Sequence, residues 1–240
     1  MFVGFDTIPQ AAEEINLPFR DIGTVLMLSV FMGVAWYSLI ILGVGLILGP
    51  EEYESTDLAA AEANSMIYGS FGRFVMLSAG LAGIITSWNA FIVGGSRAIY
   101  ALARGRLLPA IFAELHPVYR SPKNAIILIG ILSTFGPFFG RPVLVWLVNA
   151  GGLGIMIAYA MVAFSFLVLR RREPDLPRPF TVRFGGLVGG VAFGLSIGLA
   201  LLYMPGSPSA LLWPSEWIIF IGWCLLGAVM YFMTTKNRKD

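Results

Sequence analysis

Asp6 is an acid set between two residues that interrupt helices, Gly4 and Pro9. Gly4 has no side chain to restrict its backbone, and Pro9 has no N–H to give to an upstream turn. Asp6 or Thr7 can cap a helix that starts there, and Pro9 suits its first turn. The stretch reads as a helix break with a fresh N-terminus beside a carboxyl group. In lipid, irregular backbone is tolerated only where it lines a cavity or site, and an acid there is costly unless it is used. An N-cap with no further role is the plain alternative. A second polar stretch, Thr86-Ser87-Trp88-Asn89, interrupts an apolar run with two hydroxyls and an amide. Asn149, Gly151 and Gly152 form a third, which reads as helix packing or an approach to a site. Glu13 and Glu14 are candidates for an ion-paired gate with Arg97, or for plain helix-end charge.

Lipid is the solvent that the composition demands. Hydrophobic residues make up 57% of the 240, charged residues only 12%, and the mean hydropathy is +0.79. A soluble domain carries about 25% charged residues. The net charge of +2 is small. The run Arg170-Arg171-Arg172 reads as a topology anchor with secondary contact to anionic lipid, not as a nucleic-acid site, since no aromatic platform accompanies it. One cysteine, Cys224, and one histidine, His116, leave no disulfide framework, cysteine metal site or histidine cluster. Without a Ser-His or Cys-His pair or paired acids within the apolar runs, no enzyme and no cofactor are expected. No cleavable signal peptide is expected, because the break follows Met1 without a basic region.

The elements that must hold these residues are helical. The pattern predicts an all-α integral membrane protein: a half-helix over 1–16, then six spans at about 22–48, 74–102, 125–139, 143–169, 187–203 and 217–233. A crossing needs about 20 apolar residues. The acidic loop 50–69 includes a short alanine-rich helix over 58–66. Arg20, Arg104, Arg106, Arg120, Lys123, Arg170–Arg172, Arg178, Arg183 and the C-terminal basic residues then share one side, leaving Arg73 and Arg141 on the other. The positive-inside rule places the richer side, and the C-terminus, in the cytoplasm. Glycines 186, 190, 194 and 198 form a stripe suited to close helix packing or to a dimer face.

Three motifs carry a resemblance. Gly4-Phe5-Asp6 with Ala12-Glu13-Glu14 resembles the sixth transmembrane helix of the amino acid–polyamine–organocation (APC) superfamily of permeases. The stretch from Arg97 to Arg104, followed by Leu108-Pro109, His116-Pro117 and Pro122-Lys123-Asn124-Ala125, is similar to the eighth helix and its loop. Leu169 to Phe180 matches a third motif. The resemblance implies a LeuT-like inverted-repeat fold in a multi-pass plasma-membrane transporter of an amino acid or related amine, working by symport or exchange. It implies that carbonyls near Phe2, Val3 and Gly4 take the substrate ammonium, that Phe5 lines the pocket, and that Trp88, with Asn89 beside it, lines it from the second span. Asp6 becomes the coupling acid, since a substrate ammonium beside it would link loading to protonation. Thr86 and Ser87 stand where sodium-coupled relatives hold an ion, with a proton preferred to sodium here. The acidic loop becomes a lid over the outer entrance.

The match begins in the middle of the sixth helix and ends with the twelfth. A charged α-amino group at Met1 would then lie near mid-bilayer, at a cost of at least a few kcal/mol. The expectation is a C-terminal part of a longer permease, with the N-terminal helices missing. The alternative is a non-transporting fragment, or one half of a split transporter.

Overall fold

The computed structural model describes residues 4–10, 12 and 15–236. Its order is α1 (Thr7–Gln10), α2 (Phe19–Ile47), α3 (Pro50–Ser55), α4 (Ala59–Arg104), α5 (Lys123–Phe135), α6 (Gly140–Arg172), α7 (Gly185–Leu201) and α8 (Ser215–Lys236). Short 3₁₀ turns lie at Ala110–Ala113 and Gly136–Phe139. The described residues contain no strand. This is an all-α membrane protein, and it is inverted relative to a soluble one. The buried apolar residues are mostly small, such as Ala63, Ala103, Ala125 and Ala160, while Phe31, Leu46 and Phe138 stand open. Large apolar side chains face outward because lipid is their solvent, and small ones sit where helices meet. Among the described residues, four segments are long and apolar enough to cross a membrane: Phe19–Ile47, Ala59–Arg104, Lys123–Arg172 and Ser215–Thr234. Gly185–Leu201 is a shorter apolar helix.

The chain forms two compact units, one up to Ala98 and one from Ile99 on. In the first, Pro18 is extended and α2 begins immediately after it, with Asp21 in the first turn. α2 ends where Leu48 turns extended. Pro50 then opens α3, and the Glu52 carboxylate accepts the Gly49 N–H at 3.0 Å. α4 carries a kink at Gly69, whose φ of 62° and ψ of −152° suit glycine alone. The kink divides α4 into the expected alanine-rich helix and the longer apolar run. Arg73 and Glu62 approach to 3.7 Å across it.

In the second unit the 13 residues of α5 rise about 20 Å, less than the hydrocarbon thickness. The 3₁₀ turn continues it to Gly140, where α6 starts with Arg141 and Pro142 in its first turn. Gly140 itself carries the break, at φ 80° and ψ 174°, within the expected Gly140-Arg141-Pro142 turn.

α6 pairs closely with α7, and here the small stripe differs from expectation. Gly185, Gly189 and Ser196 are the buried residues of α7. A Cβ on Gly189 would lie 2.8 Å from Leu167 and Phe166 side-chain atoms, and the Phe164 and Phe193 rings meet at a tilt with centroids 5.8 Å apart. Gly186, Gly190, Gly194 and Gly198 have open space before them. The ridge one residue earlier takes the contact: Phe166 and Leu167 of α6 pack on Gly189, and the Arg170 guanidinium lies on Gly185.

Candidate functional site

The first unit holds the break. Gly4 has φ +116°, a conformation that L side chains rarely adopt. Its N–H donates to Asp6 Oδ1 at 3.2 Å, so the carboxyl group folds back over the turn. The N–H groups of Thr7 and Ile8 donate to the carbonyls of Gly4 and Phe5 at 3.2 and 3.3 Å. The Gln10 N–H reaches the Asp6 carbonyl at 3.4 Å. These are turn bonds of a short helix, only four residues long. Gly4 to Ile8 are half-buried. Asp6 is therefore a local cap on the break. Phe2, Val3, Glu13 and Glu14 lie outside the described residues, so the expected carbonyl pair and acidic gate fall there. Arg97 is half-buried.

What seats α1 is a glycine on α4. A Cβ on Gly94 would run into Gln10 Oε1 and would lie 3.4 Å from both Thr7 Cγ2 and Thr7 Oγ1. Gly94 and Ser96 are buried, whereas the residues from Thr86 to Asn89 are exposed. Sequence reading missed Gly94. Its signal was the pair Gly94-Gly95 in an otherwise bulky run.

The polar stretch of α4 does not break the helix, whose one non-helical residue is Gly69. Thr86 Oγ1 donates back to the carbonyls of Ala82 and Gly83, at 3.2 and 2.9 Å. Such back-bonding satisfies the hydroxyl proton inside the helix and leaves the oxygen lone pairs facing out. At about 100° per residue, Ser87 falls within about 20° of the Gly94 face, two turns away. Thr86 falls about 80° aside, and Trp88 and Asn89 more than about 100° aside. Ser87 therefore shares the face that carries α1, and Trp88 and Asn89 do not. On the other flank of α1, Phe5 joins Leu26, Met27, Val30, Phe31 and Val34 of α2 around an open apolar groove of ≈ 400 Å³.

The second unit holds a polar pair that the sequence did not announce. Glu216, in the first turn of α8, is 1% exposed. Its Oε1 accepts Asn149 Nδ2 at 2.7 Å and its Oε2 accepts the Leu212 N–H at 2.8 Å. Asn149 thus ties α6 to α8, as an interhelical hydrogen bond does in a membrane. Next to it, Gly152 is buried under the Tyr203 hydroxyl and Gly151 is exposed. The helix-packing reading describes Asn149 and Gly152 in this structure. An acid at the start of an apolar run reads as a helix N-terminus, so Glu216 gave no sign of being buried.

A family model described as amino acid permease matches residues 1–236. The methylthioribose transporter of Bacillus subtilis is 25% identical over 99% of this chain and 49% of its own. The branched-chain amino acid permease of the same organism is 27% identical over 99% of this chain and 49% of its own. Cationic amino acid transporter 5 of Arabidopsis thaliana is 31% identical over 75% of this chain and 31% of its own. The chain spans about half the length of the two Bacillus relatives.

Proposed function

Because the chain belongs to the amino acid permease family, we propose that it forms the C-terminal part of a transporter that carries an amino acid or related amine across the plasma membrane. The observation that carries this reading is the helix break at Gly4–Asp6, seated on the bare face of α4 at Gly94. A break leaves backbone carbonyls for an ammonium and N–H groups for a carboxylate, the two groups all amino acids share. Phe2, Val3, Gly4 and Phe5 contribute this surface, Asp6 couples a proton to loading, and Ser87 faces the same side of α4. Thr86, Trp88 and Asn89 flank it, with Thr86 and Ser87 the oxygens for a sodium ion should the proton prove wrong. Six crossings after the half-helix put the C-terminus in the cytoplasm, where the arginines of 170–183 belong by charge.

The relatives' names span methylthioribose, branched-chain amino acids and cationic amino acids. The substrate is therefore argued from the backbone, not from likeness. The length of the relatives supports a site completed by N-terminal helices outside this sequence; the second reading is a fragment that does not transport.

Uptake of labelled leucine, lysine and putrescine separates these readings. It is measured in vesicles holding this chain alone, and this chain co-expressed with the N-terminal half of a related permease. Saturable uptake only in the co-expressed sample supports the shared site, and saturable uptake by the chain alone overturns it. Asp6→Asn is expected to abolish stimulation by an inward proton gradient while leaving exchange. Unchanged stimulation in that variant removes Asp6 from coupling.

A further inference from the structure

The end of α6 and the start of α7 gather a charge pattern that transport does not use. Residues 170–183 contain Arg170, Arg171, Arg172, Arg178 and Arg183 against only Glu173 and Asp175. Arg170, Arg171, Arg172 and Arg183 pair with no carboxylate among the described residues. Two of the arginines are fixed in place. The Arg170 guanidinium lies over the Phe166 ring at 5.2 Å and in contact with the bare Cα of Gly185. Arg178 donates to the carbonyls of Pro174 and Glu173 at 2.8 and 2.7 Å, which folds the link back over the end of α6. Arg171, Arg172 and Arg183 are exposed. Arg183 stacks over Phe184 at 5.3 Å, and that ring is 69% exposed.

Beneath Arg172 runs an open groove of ≈ 310 Å³ on α6, lined by Phe164, Ser165, Val168, Leu169, Arg172 and Glu173. Its floor is mostly apolar and its mouth carries the arginine. One acid, Glu173, also stands at the mouth. The surrounding cations outnumber it, and its own carbonyl is engaged by Arg178.

We propose that this surface binds an anionic phospholipid of the leaflet it meets, with the phosphate at Arg172 on the groove, the exposed Arg171 and Arg183 adding positive charge on the same link, and a stretch of acyl chain along Val168 and Phe164. The chemistry is complementary at both ends. Exposed guanidinium groups at the end of an apolar helix meet headgroup phosphates, and guanidinium matches phosphate geometry in two bonds. The exposed Phe184 ring adds apolar surface directly beneath the Arg183 guanidinium. A free phosphate would satisfy the arginines and leave the groove open, so the lipid is the occupant that uses both. The inference does not depend on which side of the membrane this loop faces or on whether the chain transports.

The test uses the purified full chain in detergent with added phosphatidylglycerol or phosphatidylcholine, read by native mass spectrometry of retained lipid. Phosphatidylglycerol is expected to be held in preference. Arg172→Gln is expected to lower its retention about fivefold, the loss expected for one surface arginine beside an anionic headgroup. Arg183→Gln is the second charge variant, should the first fail to fold. Val168→Trp fills the groove without changing charge and is expected to lower retention of both lipids. Arg120→Gln, an exposed arginine elsewhere, is expected to leave retention unchanged. Equal retention of the two lipids by the parent chain overturns the proposal, as does an equal loss in Arg120→Gln. Displacement of phosphatidylglycerol by inorganic phosphate as readily as by the lipid itself assigns a bare anion site and overturns it too.

Discussion

Replacing Gly94 with valine would put two methyl groups where α1 stands. In the parent, even a bare Cβ at this position runs into Gln10 Oε1 and comes to 3.4 Å from Thr7 Cγ2 and Oγ1. The two contacts differ in kind. Gln10 Oε1 is the far end of a flexible, exposed side chain, so alanine needs only a rotamer change and is expected to cost under about 1 kcal/mol. Thr7 belongs to the first turn of α1, and rotation about its χ1 still leaves Cγ2 or Oγ1 toward Gly94. The added γ-carbons of valine must push that turn away, an overpacking expected to cost about 1–3 kcal/mol. If seating of α1 is needed for substrate binding, the same energy lowers the seated population and uptake by roughly 5–150-fold, at about 1.4 kcal/mol per tenfold. The assay is a cycle over Gly94→Ala, Gly94→Val, Gln10→Ala and Thr7→Ala, read by melting temperature in detergent and by uptake in the co-expressed permease. Gln10→Ala should restore Gly94→Ala, and Thr7→Ala should restore part of Gly94→Val, because residues in contact couple and distant ones add. A Gly94→Val variant with parent stability and uptake refutes the seat. So does a loss that neither partner variant relieves.

Other outcomes follow from single contacts. Gly69→Ala places a Cβ at φ 62° and ψ −152° and should cost about 1–3 kcal/mol, seen as a fall in melting temperature with no local clash to relieve. Glu216→Ala strips both acceptors from Asn149 Nδ2 and the Leu212 N–H and should cost about 1–3 kcal/mol for each group left unsatisfied. Glu216→Gln keeps one carbonyl acceptor and should fall between parent and alanine; equal melting temperatures for all three would show that the pair contributes nothing.

Particular residues mark the limit of sequence reading. The break at Gly4 and Asp6 was legible because glycine, acid and proline each act on their own backbone. The kink was less so: the loop with an alanine-rich helix was readable, but not that Gly69 lets it continue into the next span as α4. Thr86 to Asn89 looked like an interruption, and the Thr86 hydroxyl is satisfied by its own helix. Polar side chains in lipid have that local option, so polarity alone does not locate a break. Trp88 was singled out by the family resemblance, and its position on the helix turns it from the face that carries α1.

Composition and apolar run length determined the membrane, the all-helical class and most of the helices, since a backbone in hydrocarbon must bond within its own segment. Those are properties of one stretch at a time. The choice between the ridge at Gly185 and Gly189 and the ridge at Gly186 and Gly190 was decided by Phe166 on another helix. The burial of Glu216 was decided by Asn149, distant in sequence. The seat of α1 on Gly94 joins residues from opposite ends of the first unit. Both glycine ridges have the same spacing, and Glu216 begins a helix as an exposed acid would, so no local rule decides either case. Only the partner surface does, and the tertiary structure supplies it.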